Sequence, residues 1–191
     1  MFGKFFVSLV VALGLVVLGS TPAIAAKNSK EEQRAEVRKT SQKVLGQLYR
    51  AKPSAKGAVA AAAGYAVFSN FGMKLFVAGG GAGSGLAVNN ATKQEVFMKM
   101  VEVQAGLGFG IKKFRVIFIF ETESALKEFV NSGWEFGGQA TAAASYDNKG
   151  GAYQGAVSVM PGVWMYQLTD EGLALELTGK GTKYYKNDEL N

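Results

Sequence analysis

The sequence predicts an α+β fold: a curved or barrel-like, mainly antiparallel β-sheet with an N-terminal helix and one or two short packed helices. Three observations predict it. Glycine occurs 25 times in 191 residues, about twice its usual share, whereas proline occurs only three times. Thirteen Phe, seven Tyr and two Trp supply apolar area for a core. Short apolar runs bounded by glycine-rich segments are typical of strands and tight turns.

Residues 1–25 are predicted to be a secretory signal peptide that is cleaved after Ala25. Lys4 gives a basic start, and residues 5–18 form an apolar run. Ala23-Ile24-Ala25 then fits the small-residue cleavage rule. The apolar run is shorter than the roughly 20 residues that span a bilayer, so an uncleaved membrane anchor is the weaker alternative. We therefore expect an exported protein, periplasmic or secreted.

Residues 26–56 are predicted to form a basic helical arm. They hold nine basic and three acidic residues, whereas residues 57–191 hold 11 basic and 12 acidic ones. Residues 31–50 lack proline, and their acidic residues come early and their basic residues late, as the helix dipole favours. Their apolar residues fall mostly on one stripe, which predicts an amphipathic helix: Val37, Val44, Leu45, Leu48 and Tyr49.

The arm allows two interpretations. A basic amphipathic helix can lie on an anionic membrane surface, where each cation contributes about 1 kcal/mol of attraction. Alternatively, the helix packs its apolar stripe onto the rest of the domain and its charges face water. The stripe is narrow and contains no Trp or Phe, which favours packing.

Residues 57–191 are predicted to form one glycine-rich β domain. Pro53 opens a second, alanine-rich helix over residues 54–63, and residues 65–68 form a short strand. Glycine then recurs with period two, which leaves one face of a strand without side chains and marks a bend or the close approach of another element. The two such rows are Gly79, Gly81, Gly83 and Gly85, and Gly106, Gly108 and Gly110.

The remaining elements follow from apolar runs and capping residues. Strands are predicted at 96–103 and at 115–121, where the run VIFIF indicates burial on both faces. Thr122 is predicted to cap a helix over 123–131 that Gly133 ends. Further strands are predicted at 134–136, 153–159, 163–167 and 173–177, with turns at 148–151 and 169–172.

The composition excludes several kinds of active site. The chain contains no His and no Cys, so Ser–His–Asp and Cys–His catalysis, His/Cys zinc sites and disulfides are absent. The first glycine row is followed by Leu86, without the Lys-Ser/Thr of a phosphate-binding loop. Two carboxylate pairs, Glu121 with Glu123 and Asp170 with Glu171, are interpreted as a helix start and a solvated turn. We expect a non-enzymatic protein without metal or cofactor.

Several motifs in a fixed order resemble the SYLF domain family. The resemblance covers residues 35–186, nearly all of the predicted mature chain. The motifs that carry it are Gly64-Tyr-Ala-Val-Phe68, the first glycine row, Gly106-Leu-Gly-Phe-Gly110, Ile117-Phe-Ile-Phe, Thr122-Glu-Ser-Ala-Leu126, Trp134-Glu-Phe-Gly137, the alanine-rich stretch 140–144 and Gly172-Leu-Ala.

The resemblance implies binding rather than catalysis. Eukaryotic SYLF proteins bind phosphoinositide membranes, largely through an amphipathic N-terminal helix and basic residues, and some bind actin. Carried over to this chain, the family implies lipid contacts by the arm and, more weakly, by a later basic cluster. The candidate lipid-binding residues are Arg34, Arg38, Lys39, Lys43 and Arg50 in the arm, and Lys112, Lys113 and Arg115 in the β domain. An exported protein would meet neither actin nor phosphoinositides.

Two functions from different classes follow. The first is a lipid-surface binding domain of the cell envelope, whose basic helix contacts anionic headgroups. The second is a structural or protein-interaction module of the envelope, in which the arm docks a partner protein. Nucleic-acid binding is disfavoured by the predicted export and by the lack of an aromatic platform near the charges.

Overall fold

A computed structural model of the protein describes residues 29–75, 78–105, 110–136, 153–170, 172–174 and 181–191. The predicted signal peptide, most of the second glycine row, the predicted turn at 148–151 and part of the predicted strand at 173–177 lie outside the described residues.

The described residues form helices and strands in the order that follows. The helices are α1 (Lys30–Ala51), α2 (Ser54–Ala61) and α3 (Glu123–Ser132). The strands are β1 (Gly64–Leu75), β2 (Ala78–Asn89), β3 (Glu95–Ala105), β4 (Gly110–Phe120), β5 (Trp134–Phe136), β6 (Val157–Met160), β7 (Val163–Thr169), β8 (Gly172–Ala174) and β9 (Gly181–Lys186).

These strands form one curved antiparallel sheet, a half-barrel with the order β5-β9-β3-β2-β1-β4-β7-β6, to which β8 adds by pairing with β7. The predicted α+β class with a curved sheet and an N-terminal helix is therefore confirmed. β1 and β2 pair along their whole length and lie in the centre, with β3 and β4 on either side. β9 was not predicted, and it connects β3 to the edge strand β5.

Helices cover both faces of the sheet. Successive side chains of β4 point alternately to the face that packs against α3 and to the face that packs against α1 and α2. Phe118 and Phe120 are buried with Phe129 of α3 on one face. Ile117 and Ile119 are buried on the opposite face, together with apolar residues of α1 and α2. The run VIFIF is thus buried on both sides, as the sequence predicts, and the sheet lies between two helical layers.

At two glycine positions a side chain would be unfavourable, one because it lacks space and the other because of its backbone conformation. Gly85 pairs with Phe68 across β2 and β1, and a Cβ at Gly85 would overlap the Phe68 ring. At Gly85, the first glycine row therefore marks a point where a neighbouring side chain lies close to the strand backbone, as the sequence predicts. Gly133 has a φ of 67°, a left-handed conformation that ends α3 where the sequence predicts the end.

Candidate functional site

The basic helix α1 begins and ends at well-formed caps. Ser29 and Glu32 form a capping box: the Ser29 side chain accepts from the Glu32 N–H, and the Glu32 carboxylate accepts from the Ser29 N–H. At the other end, the Lys52 N–H donates to the carbonyl of Leu48 over 2.7 Å. The helix therefore extends about one residue beyond the predicted range at each end.

The apolar stripe of α1 lies against the sheet. Val44 and Leu48 are 1% and 0% exposed and belong to the cluster that contains Ile117 and Ile119. Leu45 and Tyr49 are partly buried against the same cluster. The stripe is thus occupied by packing within the protein, which is the second of the two arrangements considered for the arm. With the helix docked, only its outer face is free for another partner.

Two of the candidate arginines hold the first half of α1 on the sheet. Arg34 donates to the carbonyl of Leu190 over 2.8 Å, and Arg38 donates to the Glu95 carboxylate over 2.8 Å. Both guanidinium groups lie over the Phe97 ring, at 5.9 and 5.1 Å from its centroid. Both side chains thus contact the edge formed by β3 and the C-terminal segment.

The same arginines also bond to Glu31 one or two turns earlier in the helix. Arg34 and Arg38 lie 3.3 and 3.1 Å from its carboxylate oxygens, and these hydrogen bonds hold the pKa of Glu31 below its ordinary value. The hydrogen bond that Arg38 donates to Glu95 raises the pKa of Arg38. Both arginine charges are therefore balanced by nearby carboxylates, which weakens their attraction for an outside anion.

The other three candidate residues of α1 form an exposed strip. Lys39, Lys43 and Arg50 are spaced by four and seven residues, which places them on one face of the helix. All three are exposed, and the Lys39 side chain is 81% accessible. Glu36 lies 3.9 Å from the Lys39 ammonium, an exposed ion pair that contributes little. We call Lys39, Lys43 and Arg50 the cation strip.

The later basic cluster lies on β4. Arg115 is 16% exposed at its side chain and forms a 2.8 Å ion pair with Asp170. Lys112 and Lys113 pair in backbone register with Gly72 and Phe71 of β1, and their side chains lie outside the described part of the structure. The structure does not bring Arg115 together with the cation strip, since it is held at the turn after β7.

An open trough of about 670 Å³ lies between part of the first half of α1 and the sheet. Its walls carry hydroxyl groups of α1, β1 and β2, and Lys99 lies at its side with Glu189 at 3.3 Å. The volume is within the roughly 300–1,000 Å³ of small-molecule sites. The trough is lined by Gln33, Glu36, Val37, Thr40, Ser41, Val67, Ser69, Ala82, Gly83, Ser84, Lys99, Asn187, Glu189 and Leu190.

Three of the four carboxylates singled out in the sequence have structural partners, and the fourth, Glu171, lies outside the described residues. Glu121 accepts a hydrogen bond from the Trp164 indole over 3.1 Å, and Glu123 forms an ion pair with Lys127 over 3.0 Å. Asp170 is the partner of Arg115. No group of three acidic side chains within the described ranges is close enough to hold a metal ion. The described helices include none that is long and apolar enough to cross a membrane.

Sequence reasoning missed the C-terminal segment that supports α1. The Asn191 side chain accepts a hydrogen bond from the N–H of Phe97 over 3.0 Å and donates one to its carbonyl over 2.8 Å. This amide thus bonds to the backbone of β3 in the way that the backbone of a neighbouring strand does. Asn187 and Leu190 are buried beside it. A signal was present in β9, where the buried Thr182 and Tyr184 alternate with the exposed Lys183.

Comparison with known proteins gives one distant relative. No family model matches the chain. The chain is 29% identical over 164 residues to "Beta cell expansion factor A" of Aeromonas veronii, a match that covers 84% of this chain and 59% of the relative. The chain thus spans about three-fifths of that protein's length. At this identity the match does not establish a family, and the SYLF resemblance stays a prediction.

Proposed function

We propose that the protein is a non-enzymatic module of the cell envelope that binds anionic lipid surfaces through the cation strip of its docked helix. The observation that carries the proposal is that α1 has one face packed on the domain and one face exposed to solvent. Its apolar stripe and its first two arginines face the domain, whereas Lys39, Lys43 and Arg50 share one exposed face. A flat anionic surface can meet that face without any rearrangement of the helix.

The expected strength follows from the number of cations. Each Lys or Arg near an anionic bilayer contributes about 1 kcal/mol, so three contribute about 3 kcal/mol, or roughly a hundredfold in affinity. The apolar stripe adds nothing while it is buried. The proposal is therefore of weak, reversible binding that salt disrupts, because exposed charges are screened beyond about 8 Å at physiological ionic strength.

The predicted signal peptide and the resemblance to SYLF domains support the same proposal. Export would bring the chain to the lipid surfaces of the envelope, in the periplasm or outside the cell. The name of the relative describes an effect on beta cells and specifies no ligand. A protein partner with an acidic surface is the competing function, and it is distinguished by binding that requires no lipid.

A charge-matched pair of variants tests the proposal. The first changes the cation strip to glutamine: Lys39→Gln, Lys43→Gln and Arg50→Gln. The second removes three exposed cations elsewhere, near α3 and the β2–β3 turn: Lys93→Gln, Lys127→Gln and Lys186→Gln. Both lower the net charge by three, so any non-specific effect of charge is the same in both.

Partition into phosphatidylglycerol-containing vesicles is the measurement. We expect the first variant to bind about a hundredfold more weakly than the unmodified protein, and the second to bind within about threefold of it. If both variants lose the same affinity for the vesicles, net charge alone explains the loss, and this would contradict a specific role for α1. Undiminished binding by the first variant would contradict the proposal outright.

A further inference from the structure

Two neighbouring valines are exposed on a part of the sheet that α1 does not cover. Val101 and Val103 of β3 are 38% and 68% exposed, and a large apolar side chain with this accessibility is unusual within a sheet. Their chain neighbours Met100 and Glu102 point to the opposite face and are buried. The valines therefore share one face with the residues that α1 covers further along the sheet.

The valines pair with two small, exposed residues of the neighbouring strand. Val101 pairs with Ala82, and Val103 pairs with Gly80, both on β2. Ala82 and Gly80 are exposed, and Ala82 also borders the trough beside α1. We call Gly80, Ala82, Val101 and Val103 the open face. It continues from the flank of α1 towards the end of the sheet.

Cations border the open face. Lys183 of β9 pairs with Val101, is exposed, and stands opposite Glu135 with no ion pair among the contacts of the described residues. Lys99 precedes the valines on the same face of β3 and is paired with Glu189. The cation strip also lies on this side of the sheet, because α1 packs here.

We propose that the open face is a second membrane contact, in which Val101 and Val103 enter the headgroup and acyl boundary of an anionic bilayer. This inference rests on the proposed function, since the cation strip brings the same side of the protein to the membrane. Apolar side chains bordered by lysines suit this boundary, because lysine stems lie along apolar material while their ammonium groups reach the phosphates.

A bilayer suits this face better than a second copy of the chain does. A two-fold interface places the same patch on both subunits, so the bordering lysines of two copies would approach each other. Among the described side chains, the four small or medium residues of the open face also fall well short of the roughly 800 Å² per partner that a stable interface buries. A membrane requires no such area, because the cation strip already contributes to binding.

Site-specific fluorescence tests the inference, since the chain contains no Cys and a single one can be introduced and labelled. Val103→Cys places an environment-sensitive NBD group on the open face. Lys127→Cys places it on α3, on the opposite face of the sheet, where the side chain is 64% exposed. On anionic vesicles we expect a blue shift, and quenching by lipids spin-labelled near the headgroup, at position 103 and not at position 127.

The outcomes separate this inference from the function on which it rests. If the protein binds vesicles and the spectrum at position 103 does not shift, the open face does not contact the membrane, and the proposed role of the cation strip still stands. Absence of binding overturns both. A blue shift at position 103 that appears without lipid and grows with protein concentration assigns the face to a second copy and also overturns the inference.

A variant pair without labels gives an independent measurement. Val101→Ser with Val103→Ser removes the apolar surface, and we expect about tenfold weaker binding to anionic vesicles at constant salt. Val101→Ile with Val103→Ile keeps β-branched apolar side chains and should bind at least as well as the unmodified protein. Equal binding by both pairs would overturn the inference.

Discussion

Leu48→Ala tests whether α1 is part of the folded core. Leu48 is 0% exposed and lies in the cluster between α1, α2 and the sheet. Leu-to-Ala substitutions at such positions cost about 2–5 kcal/mol, because they remove buried methyl groups and leave a cavity. For a domain of this size, 1 kcal/mol lowers Tm by about 2–4 °C. A loss of 3 kcal/mol would therefore lower Tm by about 6–12 °C.

Thermal unfolding followed by circular dichroism measures this loss, with Gln42→Ala as the control. Gln42 is exposed on the same helix, and alanine is a good helix former, so its substitution should change Tm by no more than about 2 °C. A helix that stood free of the domain would make the two substitutions equivalent. Equal Tm values for Leu48→Ala and Gln42→Ala would show that α1 does not belong to the folded core.

Three further predictions concern the sheet and its supports. Gly85→Ala forces a methyl group into the Phe68 ring and should lower the free energy of unfolding by about 1–3 kcal/mol in urea denaturation. Asn191→Ala leaves the Phe97 N–H without its side-chain acceptor, whereas the Phe97 carbonyl still accepts from the Asn187 N–H, and should cost about 1–2 kcal/mol in the same assay. Burial raises the pKa of Tyr166 from 10.0 to about 12, so the unfolded chain ionises first. Tm should hold below pH 10 and fall above it; burial also raises the pKa of Tyr184, so Tyr166→Phe should make the fall shallower without removing it. A Tm that stays constant up to pH 12 would contradict the assigned burial.

Local signals in the sequence predicted much of the fold. The bounds of α1 and α3 follow from charges and from capping residues such as Thr122 and Gly133, whose effect is confined to one helical turn. The two-sided burial of β4 follows from a run with no polar interruption. In contrast, β1 was predicted to end at Phe68 but extends to Leu75, and this second half pairs with β2 and β4. Phe71, Met73 and Leu75 alternate with polar residues or glycine, a strand signal that the prediction did not use.

The sequence did not predict which candidate residues contact the domain and which are exposed. Charge and the family resemblance grouped the five candidate cations of α1, but only tertiary contacts separate them. Arg38 meets Glu95, 57 residues away, and Arg34 meets Leu190, 156 residues away. Such pairings depend on the order of strands in the sheet, which no local pattern reveals. The exposure of Val103 likewise depends on where α1 crosses the sheet.

The most direct test of the account is the partition of the purified protein between buffer and vesicles as salt is varied. Vesicles of phosphatidylcholine alone would be compared with vesicles that also contain phosphatidylglycerol. The account predicts binding to the anionic vesicles only, with a steep loss of affinity between low and physiological salt. Equal binding to both kinds of vesicle, or no binding to either at low salt, would contradict it.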